Sequence, residues 1–263
     1  MLGVVLLIWS LLPVYNMFLI ALDPEEDEIE VAGNLWPPEH PQNFSRCRDP
    51  GGPVSRRFLA PVWQQRVIGL LTIVLTVVMG SLAGFAFSRM QPGKGPLLTN
   101  AALLTYAIPA SFLIVPYYRI MHSYGLADSL WAVIAAQVAF ATPFAILILQ
   151  LYASLIPFEL DDAARIDGAS AAQLYLRIYL PLMTPALAVV AVYALLLAWN
   201  DYLYQAVLLS TRNMTVSVTQ GQLFTDSDAP WNAMMAAAII YALPPVAMIW
   251  ATLRSLFSLR ELR

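Results

Sequence analysis

Residues 157–185 read PFELDDAARIDGASAAQLYLRIYLPLMTP, a polar, helix-forming passage with a long apolar run on either side. A connection of about thirty residues is far longer than most in a compact chain, and connections of that length usually have a task of their own. Pro157 suits the first turn of a helix. Glu159, Asp161 and Asp162 place negative charge near the positive end of its dipole. Asp161 and Arg165 stand in an i,i+4 pairing register. Leu160, Ala163, Ala164 and Asp167 share one face, mostly small, which allows a partner close approach. Gly168 is a helix stop, and a second helix is expected from Ser170 to Leu180, ending at Pro181. The pattern is helix, glycine turn, helix. A helix lying in lipid wants basic flanks and bulky apolar residues, and three acids with paired alanines are a poor match. The unit is better suited to being held in the cleft of a soluble partner.

The rest of the chain says where this unit sits. Of 263 residues, 59% are hydrophobic and 12% charged, against roughly 25% charged in an average soluble domain. This is the composition of a membrane protein. A net charge of −3 with 14 Lys+Arg leaves no electrostatic footprint for nucleic acid. The single cysteine, Cys47, excludes an intrachain disulfide. His40 and His122 are far apart in sequence, and no cluster has metal-ligand spacing.

A helix needs about 20 mostly apolar residues to cross roughly 30 Å of hydrocarbon. Six runs meet that length: about 2–22, 67–88, 97–118, 130–152, 185–208 and 233–256. The first lacks the basic start and A-x-A site of a signal peptide and is expected to be retained. Six crossings put both termini on one side. The positive-inside rule weighs Arg89, Lys94, Arg165, Arg177, Arg254, Arg260 and Arg263 against Arg46, Arg48, Arg56, Arg57, Arg66, Arg119 and Arg212, an even division. Setting aside the long 23–66 segment as a small domain favours the first set, with termini and the 153–184 region in the cytoplasm. The outer connector 23–66, rich in Pro and Gly, reads without a regular element; a solvated link and a docking surface are both open for it. The outer connector 209–232 is polar and β-branched.

Within the runs, Pro109, Pro116, Pro143, Pro244 and Pro245 each remove a backbone donor and tend to kink a helix. Gly80, Ser81, Ala83, Gly84 and Ala86 form a small face for close packing. Asp201, in Trp199-Asn200-Asp201-Tyr202, is a charge inside a run and therefore a functional candidate, roughly 24 Å along a helix starting near Pro185. Two readings are open. Rings, amide and carboxylate suit a polyhydroxylated solute, and the same residues suit an interfacial aromatic belt with a hydrated acid.

The run Glu159-Leu160-Asp161-Asp162-Ala163-Ala164-Arg165-Ile166-Asp167-Gly168-Ala169, followed by Leu180-Pro181 and Pro185, resembles the EAA motif of ABC-importer permeases, with Asp162 where the family usually has Glu. Leu35-Trp36-Pro37, Asn43-Phe44, the string Ala83 to Arg89 (AGFAFSR) and Trp199-Asn200-Asp201 resemble the carbohydrate branch, in particular the second permease subunit of maltose-type systems. The similarity covers nearly the whole chain, although Ser258 to Arg263 stands where the family commonly has a Gly-rich tail.

The resemblance implies an all-α membrane protein of six transmembrane helices with the type I ABC-importer permease fold, a single domain over 1–263. It implies a heterodimer with a second permease, two ATPase subunits and an extracytoplasmic solute-binding protein, in the bacterial inner membrane. Solute would move by alternating access. Glu159, Asp162, Ala163, Ala164, Asp167, Gly168 and Ala169 would form the ATPase-coupling helix, with Trp199, Asn200, Asp201 and Tyr202 in the translocation path. No catalytic residue, metal or bound cofactor is expected. ATP and Mg belong to the partner ATPase, since the chain has no Walker-type loop. A self-contained secondary transporter would show internal repeats and a buried ion-binding acid. An ABC permease for another solute, such as glycerol phosphate, is the nearer alternative.

Overall fold

Apolar segments of this length satisfy their backbone groups in lipid only by forming helices or a closed barrel, and every regular element among the described residues is helical. The computed structural model describes residues 2–22, 53–90, 93–223 and 231–260. Leu35-Trp36-Pro37 and Asn43-Phe44, the remainder of 23–52, residues 224–230 and the last residues of the tail lie outside them. The chain forms α1 (Leu2–Leu22), then α2 (Pro53–Phe85), which continues into a π-helical turn, Ala86–Met90. Next come α3 (Gly95–Leu103) with a 3-10 turn Leu104–Ala107, α4 (Ala110–Ser123) and α5 (Leu130–Ser154). Helix α6 (Glu159–Ile166) precedes α7 (Ala171–Leu174), which passes through a second π-helical turn, Tyr175–Tyr179, into α8 (Leu180–Leu182). The remainder is α9 (Thr184–Asn200), α10 (Leu203–Leu208), α11 (Val216–Leu223) and α12 (Trp231–Arg260).

Four stretches are long and apolar enough to cross a bilayer alone: Leu2–Leu22, Pro61–Arg89, Leu130–Ser154 and Met234–Arg254. Two bent pairs bring the number to six if each is one crossing. The run 97–118 is one of these, bent by 92° between Gly95–Ala107 and Ala110–Ser123. Its cause is local: Ile108 is extended (φ −97, ψ 117), because a residue before proline is pushed out of the α region. Pro109 then starts α4. Of the five membrane-depth prolines it alone marks a break; Pro116, Pro143, Pro244 and Pro245 lie inside helices. The run 185–208 stops being one helix at Asn200, with Asp201 extended at ψ 115. Residues 53–66, read from sequence as part of an irregular connector, are helical. Pro53 takes the first position of α2, where its missing N–H costs nothing. Part of the second connector is helical too, as α11.

The chain divides into two compact units. One comprises Met1–Gln65 and Asn213–Val246 and has a small core of Ala21, Ala236 and Ile239 packed against Met17 and Met235. The other, Arg66–Arg212 with Ala247–Arg263, is organised around α5. Its first half supplies Ala132, Val133, Ile134 and Val138 to a cluster with Ile68, Ile114, Tyr204 and Leu208. Its second half supplies Ala145, Leu149 and Ala153 to a cluster with Phe85, Leu174, Tyr179 and Met183. Because lipid tails are as apolar as leucine, such helices gain little from leaving the solvent and depend on close packing. The small face of α2 provides it. A Cβ at Gly80 would stand 2.7 Å from Ala145 Cβ, and one at Gly84 would stand 3.0 Å from the Gln150 nitrogen.

Gly84→Val therefore has to push α2 away from the α5 backbone, at an expected cost of about 1–3 kcal/mol. The thermal midpoint of the detergent-purified protein should fall accordingly, while Gly93→Ala, with nothing within 4 Å of the added carbon, should leave it unchanged. Equal midpoints for the two variants would refute the close-packing account.

Candidate functional site

Helix α6 carries its acidic residues in the first turn and Arg165 in the last, both favourable to the helix dipole. Its end is a Schellman turn. Gly168 adopts φ +79, its N–H donates to Arg165 O at 3.0 Å, and Ala169 N–H donates to Ala164 O at 2.8 Å. A side chain at Gly168 would be strained by that φ. Helix α7 begins at once with a capping box: Ser170 N–H donates to Gln173 Oε1 at 2.8 Å, and Gln173 N–H donates to Ser170 Oγ at 3.3 Å. The second helix does not end at Pro181. It widens at Tyr175–Tyr179 and resumes as α8 with Pro181 in its first turn, where proline is tolerated.

The two faces of α6 differ. Glu159, Leu160, Asp162, Ala163, Asp167 and Gly168 are exposed, as is Ile166 at 86%. Asp161 is 4% exposed, and Ala164 packs against the cluster at the second half of α5. Ala163 and Ala164, expected on one contact face, are thus separated. Asp161, one turn before Arg165, points inward to a different arginine.

That arginine is Arg89, in the π-helical turn closing α2. Its Nη2 donates to Ala153 O at 3.0 Å and also to Ile156 O, so it adds a side-chain donor to carbonyls at and just beyond the end of α5. The guanidinium lies 4.1 Å from the centre of the Phe158 ring and 4.8 Å from that of Tyr179, within cation–π range. Its Nε is 3.9 Å from Asp161 Oδ2, with the two side chains 1% and 6% exposed. Nε and Nη1 find no hydrogen-bond acceptor among the described residues, so Asp161 acts on them through charge. Asp161 Oδ1 accepts a 3.0 Å bond from the Tyr179 hydroxyl. Burial pushes the Asp161 carboxyl above its ordinary range, and Arg89 and Arg165 draw it back.

A second polar cluster surrounds the break after α9. Asp201 Oδ2 accepts from Gln137 Nε2 at 3.2 Å, and Oδ1 accepts from Tyr204 N–H at 3.2 Å at the start of α10. Gln137 Oε1 in turn accepts from Thr72 Oγ1 at 3.1 Å. The carboxylate borders a cavity of about 310 Å³, lined also by Tyr106, Pro109, Gln137, Phe140 and Tyr204. Both interrupted helices reach it, one at Pro109 and one at Asp201. Trp199 is buried beside Gly69. Asn200 is exposed and bonds Leu196 O at 2.9 Å within its own helix, and Tyr202 is exposed. Of the four expected path residues only Asp201 lines this cavity. Gln137 and Tyr106 escaped notice in the sequence because neither stands out from its apolar run. Among the described residues no group of three His, Cys, Asp or Glu could hold a metal.

Residues 73–253 match the family described as binding-protein-dependent transport system inner membrane component. The chain is 32% identical over 244 residues to the inner membrane ABC transporter permease protein YcjP of Escherichia coli K12, covering 92% of this chain and 86% of that one. It is 34% identical over 186 residues to the trehalose transport system permease protein SugB of Mycobacterium tuberculosis, covering 69% and 68%. Its fold matches a chain of a bacterial ABC transporter involved in alginate import with a TM-score of 0.74, at 19% identity, over 97% of this chain and 93% of that one.

Gln137→Leu deprives both Thr72 and Asp201 of a buried partner and is expected to cost about 1–3 kcal/mol, whereas Thr72→Val should cost about 1 kcal/mol. Thermal unfolding in detergent checks the order. Equal shifts would mean that Gln137 does not hold Asp201.

Proposed function

The chain belongs to the family of binding-protein-dependent transport system inner membrane components, and on that premise we propose that its cargo is a sugar or related polyhydroxylated solute. The chain is a multi-pass permease subunit of an ATP-driven importer and is not itself an enzyme. Membership of this family sets aside the self-contained secondary transporter. The trehalose permease among its relatives and the alginate transporter that shares its fold support the sugar assignment.

In this reading α6 is the coupling helix. Its partners are two ATPase subunits that hydrolyse ATP with Mg, a second permease and an extracytoplasmic binding protein. The termini and 153–184 face the cytoplasm. The observation that carries the reading is the division of α6 into an inner face, with Asp161 buried and Ala164 half-buried, and an uncovered one. Glu159, Asp162 and Ala163 then meet the ATPase, with Asp162 offering a carboxylate to a basic residue and Ala163 permitting close approach. Asp167, Gly168 and Ala169 make the turn, while Ala164 seats the helix from behind. Movement of the ATPases displaces α6 and switches the path between its inward- and outward-facing forms. Asp201, at the cavity between two interrupted helices, lies where transporters commonly place solute, and its neighbours Trp199, Asn200 and Tyr202 shape that break.

Asp162→Lys in the reconstituted complex is expected to abolish most solute-stimulated ATP hydrolysis while the chain stays in the membrane; undiminished stimulation would remove α6 as the coupling element. Gly168→Pro, which fixes φ near −65° where +79° is needed, should have the same effect. Asp201→Ala should reduce uptake with assembly preserved. Normal uptake would leave Asp201 a structural cap.

A further inference from the structure

Two π-helical turns meet behind α6, one closing α2 and one joining α7 to α8. Phe85 packs against Tyr179 and Tyr175 with ring centres 4.8 Å and 5.5 Å apart, and Ser81 Oγ lies 2.7 Å from the Tyr175 hydroxyl. Such turns are rare and concentrate at functional sites. Each inserts one residue into a helix and so rotates the side chains around it. The residues set by these two turns include Arg89 and Tyr179, the two side chains that approach Asp161.

We propose that Arg89, Asp161 and Tyr179 are positioning residues that form a buried joint, through which displacement of α6 is passed to the membrane-crossing helices. The proposal rests on α6 being the ATPase contact. An eight-residue helix has little stability of its own, and it is attached to the chain by the turn 155–158 on one side and by Gly168 on the other. Without a lateral tie, a push on its outer face would be absorbed by rotation at these connections. The joint supplies the tie. Asp161 belongs to α6, Arg89 to the π-helical turn closing α2, and Tyr179 to the segment leading into α9, while Arg89 also holds the carbonyls of Ala153 in α5 and Ile156 just beyond it. Separating these groups would leave a charge buried without compensation, so they move together. Force entering at α6 thereby reaches α2, α5 and α9 at one point.

The test uses the full complex in proteoliposomes, with Arg89→Gln, Asp161→Asn and Tyr179→Phe each introduced singly. ATP hydrolysis and solute uptake are measured per assembled complex. ATPase subunits should remain bound, since the outer face of α6 is unchanged. Hydrolysis should stay within about twofold of the unmodified complex while uptake per ATP falls about tenfold or more for Arg89→Gln and Asp161→Asn, within the usual range of coupling between sites. Tyr179→Phe removes one hydroxyl and keeps the ring, and should lower uptake per ATP about fivefold or more, at the low end of the same range; it decides the matter alone if the charge variants fail to assemble. Unchanged uptake per ATP, or a proportional fall of uptake and hydrolysis together, would overturn the joint. Asp162→Lys run in parallel separates the two readings. If it retains native coupling, α6 is not the ATPase contact and the underlying reading fails; if only the joint variants behave natively, that reading stands and the joint does not.

Discussion

A guanidinium whose side chain is 1% exposed must be met by acceptors and opposite charge within the protein, or the fold bears the cost of an isolated buried ion. Arg89 meets this condition by drawing separate segments together. Ala153 in α5 and Ile156 just after it give it two carbonyls, Phe158 and Tyr179 give ring faces, and α6 gives Asp161. The orientation of α6 follows from that. Once Asp161 and Ala164 face inward, helical geometry turns Asp162, Ala163 and Ile166 outward. The direction of the exposed face of α6 is therefore set by a residue from another part of the chain.

A second constraint operates where helices are interrupted. Irregular backbone at membrane depth is tolerated where it is enclosed by protein or lines a cavity. The breaks at Pro109 and Asp201 border the same cavity. Tyr106 donates its hydroxyl to Phe140 O at 2.5 Å, and Asp201 is held by Gln137 and the start of α10. The polar groups that permit the breaks are also the ones that line the space between them.

Much of this is legible in the amino-acid sequence. Six apolar runs of crossing length, the acidic first turn of α6 and the stop at Gly168 all follow from local chemistry. The Schellman turn at Gly168 forms as expected because only glycine takes φ +79 without strain. Boundaries were less legible. The run 97–118 reads as one span, since hydropathy does not register that Pro109 forces Ile108 out of the helix; Pro116 and Pro143, equally conspicuous, stay inside theirs. Residues 53–66 look irregular by composition and are helical.

Sequence alone determined the class of the protein, its family and the passage proposed to couple it, because these depend on length, hydropathy and a contiguous motif. Tertiary structure alone decided what stands behind that passage. Asp161 has Arg165 one turn away, yet it turns to Arg89 and Tyr179, and Gln137 lies unremarked in an apolar run until Thr72 and Asp201 converge on it. The physical reason is the same in both cases. Exposed charges can be satisfied by water wherever they stand, whereas a buried polar group must find its partner in space, and that partner comes from whichever helix the packing brings near.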